Sequence, residues 1–228
     1  MTDFTEYVKA NQTRFTEELQ DLVRIPSIST DPEHTEDIGR AADWIADALR
    51  KLGLTAEIVQ TERHPAVLAE LNVRSDAPTV MIYGHYDVQP AHMEDGWSRE
   101  PFAAQVEGEI LYGRGSADNK GQIFSHIKGL ETYLNTKGNP PVNVRFLIEG
   151  EEEIGSPNLE TLIQERKAGL SPDVVLVSDT AMFQEDTPTI CYGLRGLAAA
   201  EITLYGANRD LHSGSYGGAV VNPIHTLT

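Results

Sequence analysis

The chain has 228 residues, 40% of them apolar and 23% charged, an ordinary globular composition with enough length for a sizeable core. Acidic residues outnumber basic ones 35 to 18, giving a formal charge of -17. That balance argues against sequence-independent nucleic-acid binding and against an anionic membrane surface, both of which need a basic face.

The single cysteine, Cys191, excludes an intramolecular disulfide and a multi-cysteine zinc site. It fits a reducing compartment. The first ten residues carry Asp3 and Glu6 and no apolar stretch, so no signal peptide is expected. No apolar run approaches the roughly 18 residues needed to span a bilayer. A cytoplasmic location is the expectation.

In chain order, residues 3–24 place Phe4, Tyr7, Val8, Phe15, Leu19, Leu22 and Val23 at mostly helical spacing, and Ile25-Pro26 stops that helix. A second helix is expected over 36–52, with Thr35 as N-cap and Gly53 as C-cap. Its Trp44 reads as core. Strands are expected at 56–59, 66–73 and 79–83, then a hairpin or edge strand over 106–111 around Gly108. The glycine-punctuated loop 113–121 leads into a helix over 122–134, and 142–148 is a further strand. Ser156 as N-cap and Pro157 at the first helical position predict a helix to about Arg166. Residues 173–177 form a strand running into Ser178-Asp179. Helices thus alternate with strands to about residue 180, which predicts an α/β domain with a mostly parallel sheet flanked by helices. Beyond it, strands are expected at 189–192 and 198–205, and a helix begins at Ala219.

The chemistry concentrates at strand ends and loops. Thr79-Val80-Met81-Ile82 reads as a buried strand that delivers His85 and Asp87 at its carboxyl end, where open α/β sheets place their ligands. Two residues apart in extended chain, the two side chains share a face. A metal-binding imidazole with an acidic partner fixing its tautomer is one reading, and a structural histidine is the other. Asp118, Glu151-Glu152-Glu153 and Asp179 occupy three more strand ends or turns. Carboxylates gathered without basic partners repel one another, and bound divalent cations would remove that cost. Mixed imidazole and carboxylate ligation suits zinc, manganese or cobalt better than magnesium or calcium. A carboxylate bridging two metals is the aminopeptidase type of site, and an acid beside them could take a proton from water. Competing motifs fail: Gly113-Arg114-Gly115 lacks the third glycine of a dinucleotide fingerprint, Ser215 lacks the glycine two residues before it that a nucleophile elbow needs, and no P-loop or HExxH occurs.

The run Tyr83-Gly84-His85-Tyr86-Asp87-Val88-Gln89-Pro90 resembles the M20 metallopeptidases. So do Trp97 with Pro101-Phe102, the stretch Tyr112 to Gly121, and Glu149 to Ser156. Ser178-Asp179-Thr180, Tyr192 to Gly196 and Asp210-Leu211-His212-Ser213-Gly214 also match, with most likeness to the carnosinase-like dipeptidase branch. The resemblance implies two divalent metal ions, zinc first, with manganese or cobalt as alternatives. It implies that His85 and Asp179 bind one metal, that Asp118 bridges both and that Glu153 binds the second. Asp87 would orient His85 and Glu152 would be the general base, leaving Glu151 a bystander. Spacing alone does not choose among the three glutamates. The Asp118-Asn119 bond is expected to be cis. His212 would reach the partner subunit's active site and steady the oxyanion. The remaining histidines, His34, His64, His92, His126 and His225, match no ligand motif.

The implied reaction is hydrolysis of dipeptides or small peptides with a free C-terminal carboxylate, by a homodimer formed through a lid domain. The implied layout is a catalytic domain over 1–194 and the beginning of an α+β dimerisation domain over 195–228. The family's second metal also draws a histidine from a C-terminal segment that this sequence lacks, so the expectation is an N-terminal portion, inactive or nearly so by itself. Two alternatives stand beside this: an N-acyl amino-acid amidohydrolase with the same metal site, and a non-catalytic binding or assembly relative.

Overall fold

The computed structural model describes residues 3–184 and 187–228, which fall into two compact units, Met1–Ala181 and Met182–Thr228. In the first unit, helix α1 (Phe4–Val23) stops just before Pro26, and α2 (Thr35–Lys51) buries a stripe of Ile38, Ala41, Ala42, Ile45, Ala46 and Leu49. Thr35 is the first helical residue of α2 rather than its cap. A 3₁₀ turn, Pro32–His34, precedes it, and the Asp31 carboxylate accepts from Glu33 N at 2.9 Å to start that turn. The Thr35 hydroxyl donates to Pro32 O, so it is already engaged. Gly53 closes α2 at φ 88°, a left-handed conformation that costs glycine little.

The strands are β1 (Thr55–Val59), β2 (Ala66–Leu71), β3 (Thr79–His85), β4 (Gln105–Glu107), β5 (Ile110–Tyr112), β6 (Asn143–Glu149) and β7 (Val174–Val177). β4 and β5 make a separate antiparallel hairpin, turning at Gly108. The other five form one sheet in the order β1-β2-β6-β3-β7. Its site-bearing half, β6-β3-β7, is parallel, while β1 and β2 extend it in antiparallel fashion. β3 and β6 are almost wholly buried, which is why they read as near-continuous apolar runs.

Alternation along β6 sends Phe146 and Ile148 to one face and Leu147 to the other. The first face packs against α2 and α3 (Lys120–Lys137), with Leu22 of α1, Ile45, Leu49, Ile123 and Ile127 fully or almost fully buried there. The second face carries α4 (Leu159–Arg166), whose Leu162 sits on Val59 and Ala66. Each of these buried aliphatic side chains contributes about 1.5–3 kcal/mol of transfer free energy. A half-buried ion cluster adds to the α1–α3 contact: Glu131 accepts from Tyr7 OH at 3.2 Å, from Lys128 Nζ at 2.7 Å and from Arg14. Burial pushes the Glu131 carboxyl up, but Arg14 and Lys128 hold it below the ordinary carboxylate range.

Helix α4 begins two residues later than its sequence cap suggests. Gly155 and Ser156 both adopt positive φ, which turns the chain away from helix, and the Ser156 hydroxyl donates to Glu149 at 2.8 Å rather than to the helix start. Asn158 is the residue that precedes the first turn.

Among its described residues, the second unit holds two short helices, α5 (Ser213–Tyr216) and α6 (Pro223–Leu227). The strands expected at 189–192 and 198–205 do not form. Those segments are exposed and have no ladder partner among the described residues, and β-branched sequence alone does not hold an unpaired strand. Among the described residues, no helix is long and apolar enough to cross a membrane.

Candidate metal centre

Strand β3 ends at His85, whose side chain is fully buried. The chain after it is fixed from behind by the loop that follows α1. Val88 N donates to Ser27 O at 2.9 Å and the Ser27 hydroxyl donates to Tyr86 O at 2.6 Å. That loop is tied in turn by Lys120, fully buried, whose ammonium donates to Leu22 O at 3.2 Å and Ile25 O at 2.6 Å. Burial pushes Lys120 down to about 7, against the opposing pull of Asp87 and Asp37.

Asp87, also fully buried, does two things. One oxygen lies 3.3 Å from His85 Nδ1. Its two oxygens also accept from Glu152 N at 3.2 Å and Glu153 N at 3.0 Å. The carboxylate therefore ties the end of β3 to the 3₁₀ turn Glu152–Ile154 that follows β6.

With Nδ1 facing Asp87, the His85 Nε2 points at the acids. It is 3.1 Å from Asp118 Oδ1, 3.7 Å from Asp179 Oδ2 and 3.8 Å from Glu152 Oε2. Two groups have ligand atoms within 4.8 Å of one another: His85, Glu152 and Asp179, and His85, Asp118 and Glu153. These residues come from the ends of three neighbouring strands and the start of α3, where the Asp118–Asn119 peptide is cis. Among the described residues no lysine or arginine pairs with Asp118, Glu152, Glu153 or Asp179.

The electrostatics fit a cation. Burial raises the Glu152 carboxyl; Asp179, Glu153 and Asp87 push it further and His85 opposes them. Glu153 is raised by burial and by Asp118, against the hydrogen bond donated by the Gln89 amide. Burial disfavours the His85 imidazolium, but Asp87, Glu152 and Asp179 outweigh it and lift His85 to about 9. Positive charge is favoured where the acids converge, and one imidazole with several carboxylates is a donor set for a divalent transition metal.

A family profile described as Peptidase family M20/M25/M40 matches residues 81–218, which carry all of these side chains. This chain belongs to that peptidase family. Similar proteins include the Cys-Gly metallodipeptidase dug1 of Schizosaccharomyces pombe, 35% identical over 97% of this chain and 49% of the relative. The Beta-Ala-His dipeptidase of Mus musculus is 34% identical over 97% of this chain and 48% of its own length. Among solved structures, the di-peptidase Dug1p from Saccharomyces cerevisiae superposes with a TM-score of 0.80 at 30% identity, over 96% of this chain and 49% of that one. Human carnosine dipeptidase 1 gives 0.79 at 30% identity, over 98% and 50%. The chain spans about half the length of the curated relatives it matches.

Within this M20 chain, Glu151 is separated from its two neighbours. Its carboxylate is buried and points away from His85, accepting from Thr61 Oγ1 at 2.7 Å, His64 N at 2.8 Å, Asn158 N at 3.2 Å and Asn158 Nδ2 at 3.0 Å. Spacing could not single it out, because its partners lie on a loop some 90 residues earlier. Gln89 was also missed: its amide donates to Glu153 Oε2 at 2.9 Å and to Glu153 O at 3.0 Å. Its position two residues after Asp87 was the available signal. His126, set aside as no ligand, has Nε2 2.7 Å from the Ser178 hydroxyl, next to Asp179. His212 lies in the second unit, exposed at the start of α5, where its Nδ1 accepts from Gly214 N at 3.1 Å.

Proposed function

We propose that this chain is the catalytic half of a metal-dependent dipeptidase that cleaves dipeptides or small peptides with a free C-terminal carboxylate. The observation that carries the reading is the His85 imidazole, held by Asp87 on one nitrogen and facing three carboxylates within 3.8 Å on the other. The dipeptidase names of the relatives support the substrate class.

His85 and Asp179 would hold one divalent cation, Glu153 would hold a second, and Asp118 would be shared between them. Zinc is the first choice and manganese or cobalt the alternatives. When bound, such cations supply Lewis-acid polarisation of a carbonyl and lower the pKa of a water molecule. Glu152 takes the proton of the attacking water and returns it to the leaving amine. Asp87 fixes the His85 tautomer and, through the Glu152 and Glu153 amides, the position of the base. In His212 the bond accepted by Nδ1 leaves the proton on Nε2, so the ring is a hydrogen-bond donor suited to an oxyanion.

A catalytic domain over 1–194, a dimerisation (lid) domain beginning at 195, a homodimer and a cytoplasmic location complete the reading. Because the matched relatives are about twice as long, we assign turnover to a form extended to their length. The test loads that form and the 228-residue chain with zinc or manganese and offers a dipeptide panel beside N-acyl amino acids. Release of amino acids from dipeptides by the extended form, with little or none from the 228 residues, is the expected result. Preference for N-acyl amino acids would move the assignment to the amidohydrolases, and no hydrolysis of either would favour the non-catalytic relative.

A further inference from the structure

The ladder between β3 and β7 ends two residues short of the candidate ligands on each strand. Its last pair is Tyr83 with Val177, whereas β3 continues against β6 as far as His85 with Glu149. The two strands that deliver His85 and Asp179 are therefore unpaired with each other where the ligands sit. The His85 amide is buried on that side and needs an acceptor.

The side chain of Asn119 fills the gap. It is 1% exposed. Its Oδ1 accepts from His85 N at 3.2 Å, and its Nδ2 donates to Ser178 O at 3.4 Å and to Gln122 Oε1 at 3.2 Å. One acceptor toward β3 and one donor toward β7 is what a peptide unit of an intervening strand would offer. Asn119 is also covalently next to Asp118. The amide thus touches the backbone of His85 and the residue before Asp179, and it is anchored beside the third acid. Gly84 makes room for it: a Cβ there would stand 2.5 Å from Asn119 Oδ1 and 2.3 Å from Ile123 Cγ2.

We propose that Asn119 is a positioning residue of the metal centre, its amide replacing the missing rung between β3 and β7 and setting the separation of His85, Asp118 and Asp179. The inference rests on the metal reading above. Removing the amide leaves the His85 amide unpaired and lets the two strand ends drift, so the ligand atoms lose their common focus. Supporting groups of this kind alter metal affinity by roughly 10–100-fold.

The test measures zinc affinity by chelator competition, and the visible spectrum of the cobalt-loaded chain, in the unaltered chain, Asn119→Leu and Asn119→Ala. Asn119→Ala only truncates the side chain and covers the case in which leucine does not fold. Leu162→Ala, which opens the small cluster on the opposite face of the sheet, serves as the stability control. The expected result is at least a tenfold loss of zinc affinity on the order given above, with a changed cobalt spectrum, in either folded Asn119 variant and neither change in Leu162→Ala. Unchanged affinity and spectrum in a folded Asn119 variant would overturn the inference while leaving the metal reading intact. Failure of the unaltered chain to bind zinc would overturn both.

Discussion

Glu152→Gln in the extended, metal-loaded form is expected to lower dipeptide turnover by on the order of 10²–10⁴-fold while metal content stays the same. Glutamine keeps the shape and one carbonyl oxygen but cannot accept a proton from water. The proposed base sits where that matters: its Oε2 is 3.8 Å from His85 Nε2, and its side chain is 39% exposed, open to a substrate water. Burial and the neighbouring acids raise its pKa, toward the range in which a base exchanges protons efficiently near neutral pH. The same side chain also lies within ligand distance of His85 and Asp179, so a direct metal-ligand role is the competing assignment. Metal analysis of the variant separates the two. Lost turnover with retained metal supports the base; lost metal makes Glu152 a ligand; unchanged turnover means another group moves the proton.

The second large effect is on stability rather than chemistry. Glu151→Leu is expected to destabilise the first unit by about 3–5 kcal/mol, read as a lower midpoint in chemical denaturation. The carboxylate is 2% exposed and is the common acceptor for Thr61, the His64 amide and two donors of Asn158. Leucine fills the volume but leaves those donors without a partner, and each unsatisfied buried group costs about 1–3 kcal/mol, less than additively where water can reach it. The change also frees the loop at Thr61–His64 from the turn that carries Glu152 and Glu153. A loss below about 1 kcal/mol would mean that the donors find other partners and that Glu151 is the bystander the resemblance implies.

Much of this was legible in the chain. The apolar run before His85 and the glycine-closed helix before it fix the sheet and its first helices through local periodicity, and the strand-end acids are visible as types and positions. What was not legible depended on partners distant in sequence. The role of Glu151 comes from Thr61 and His64, and that of Asn119 from a gap between β3 and β7 that only the register reveals. Ser156 reads as a helix cap until the positive φ at Gly155 and Ser156 is seen. The segments 189–192 and 198–205 have strand composition without strand partners among the described residues, and pairing, rather than propensity, decides.

The most direct test of the metal centre is the metal content per chain after reconstitution with zinc or manganese and desalting, with His85→Ala alongside. His85, Asp118 and Asp179 would give one position three donors, the number a catalytic zinc takes from its protein, while among the described residues Asp118 and Glu153 are the donors left for the other. The account predicts about one tightly held metal per chain, abolished by His85→Ala. A folded chain that retains none, or a His85→Ala variant that retains as much as the unaltered chain, would contradict it.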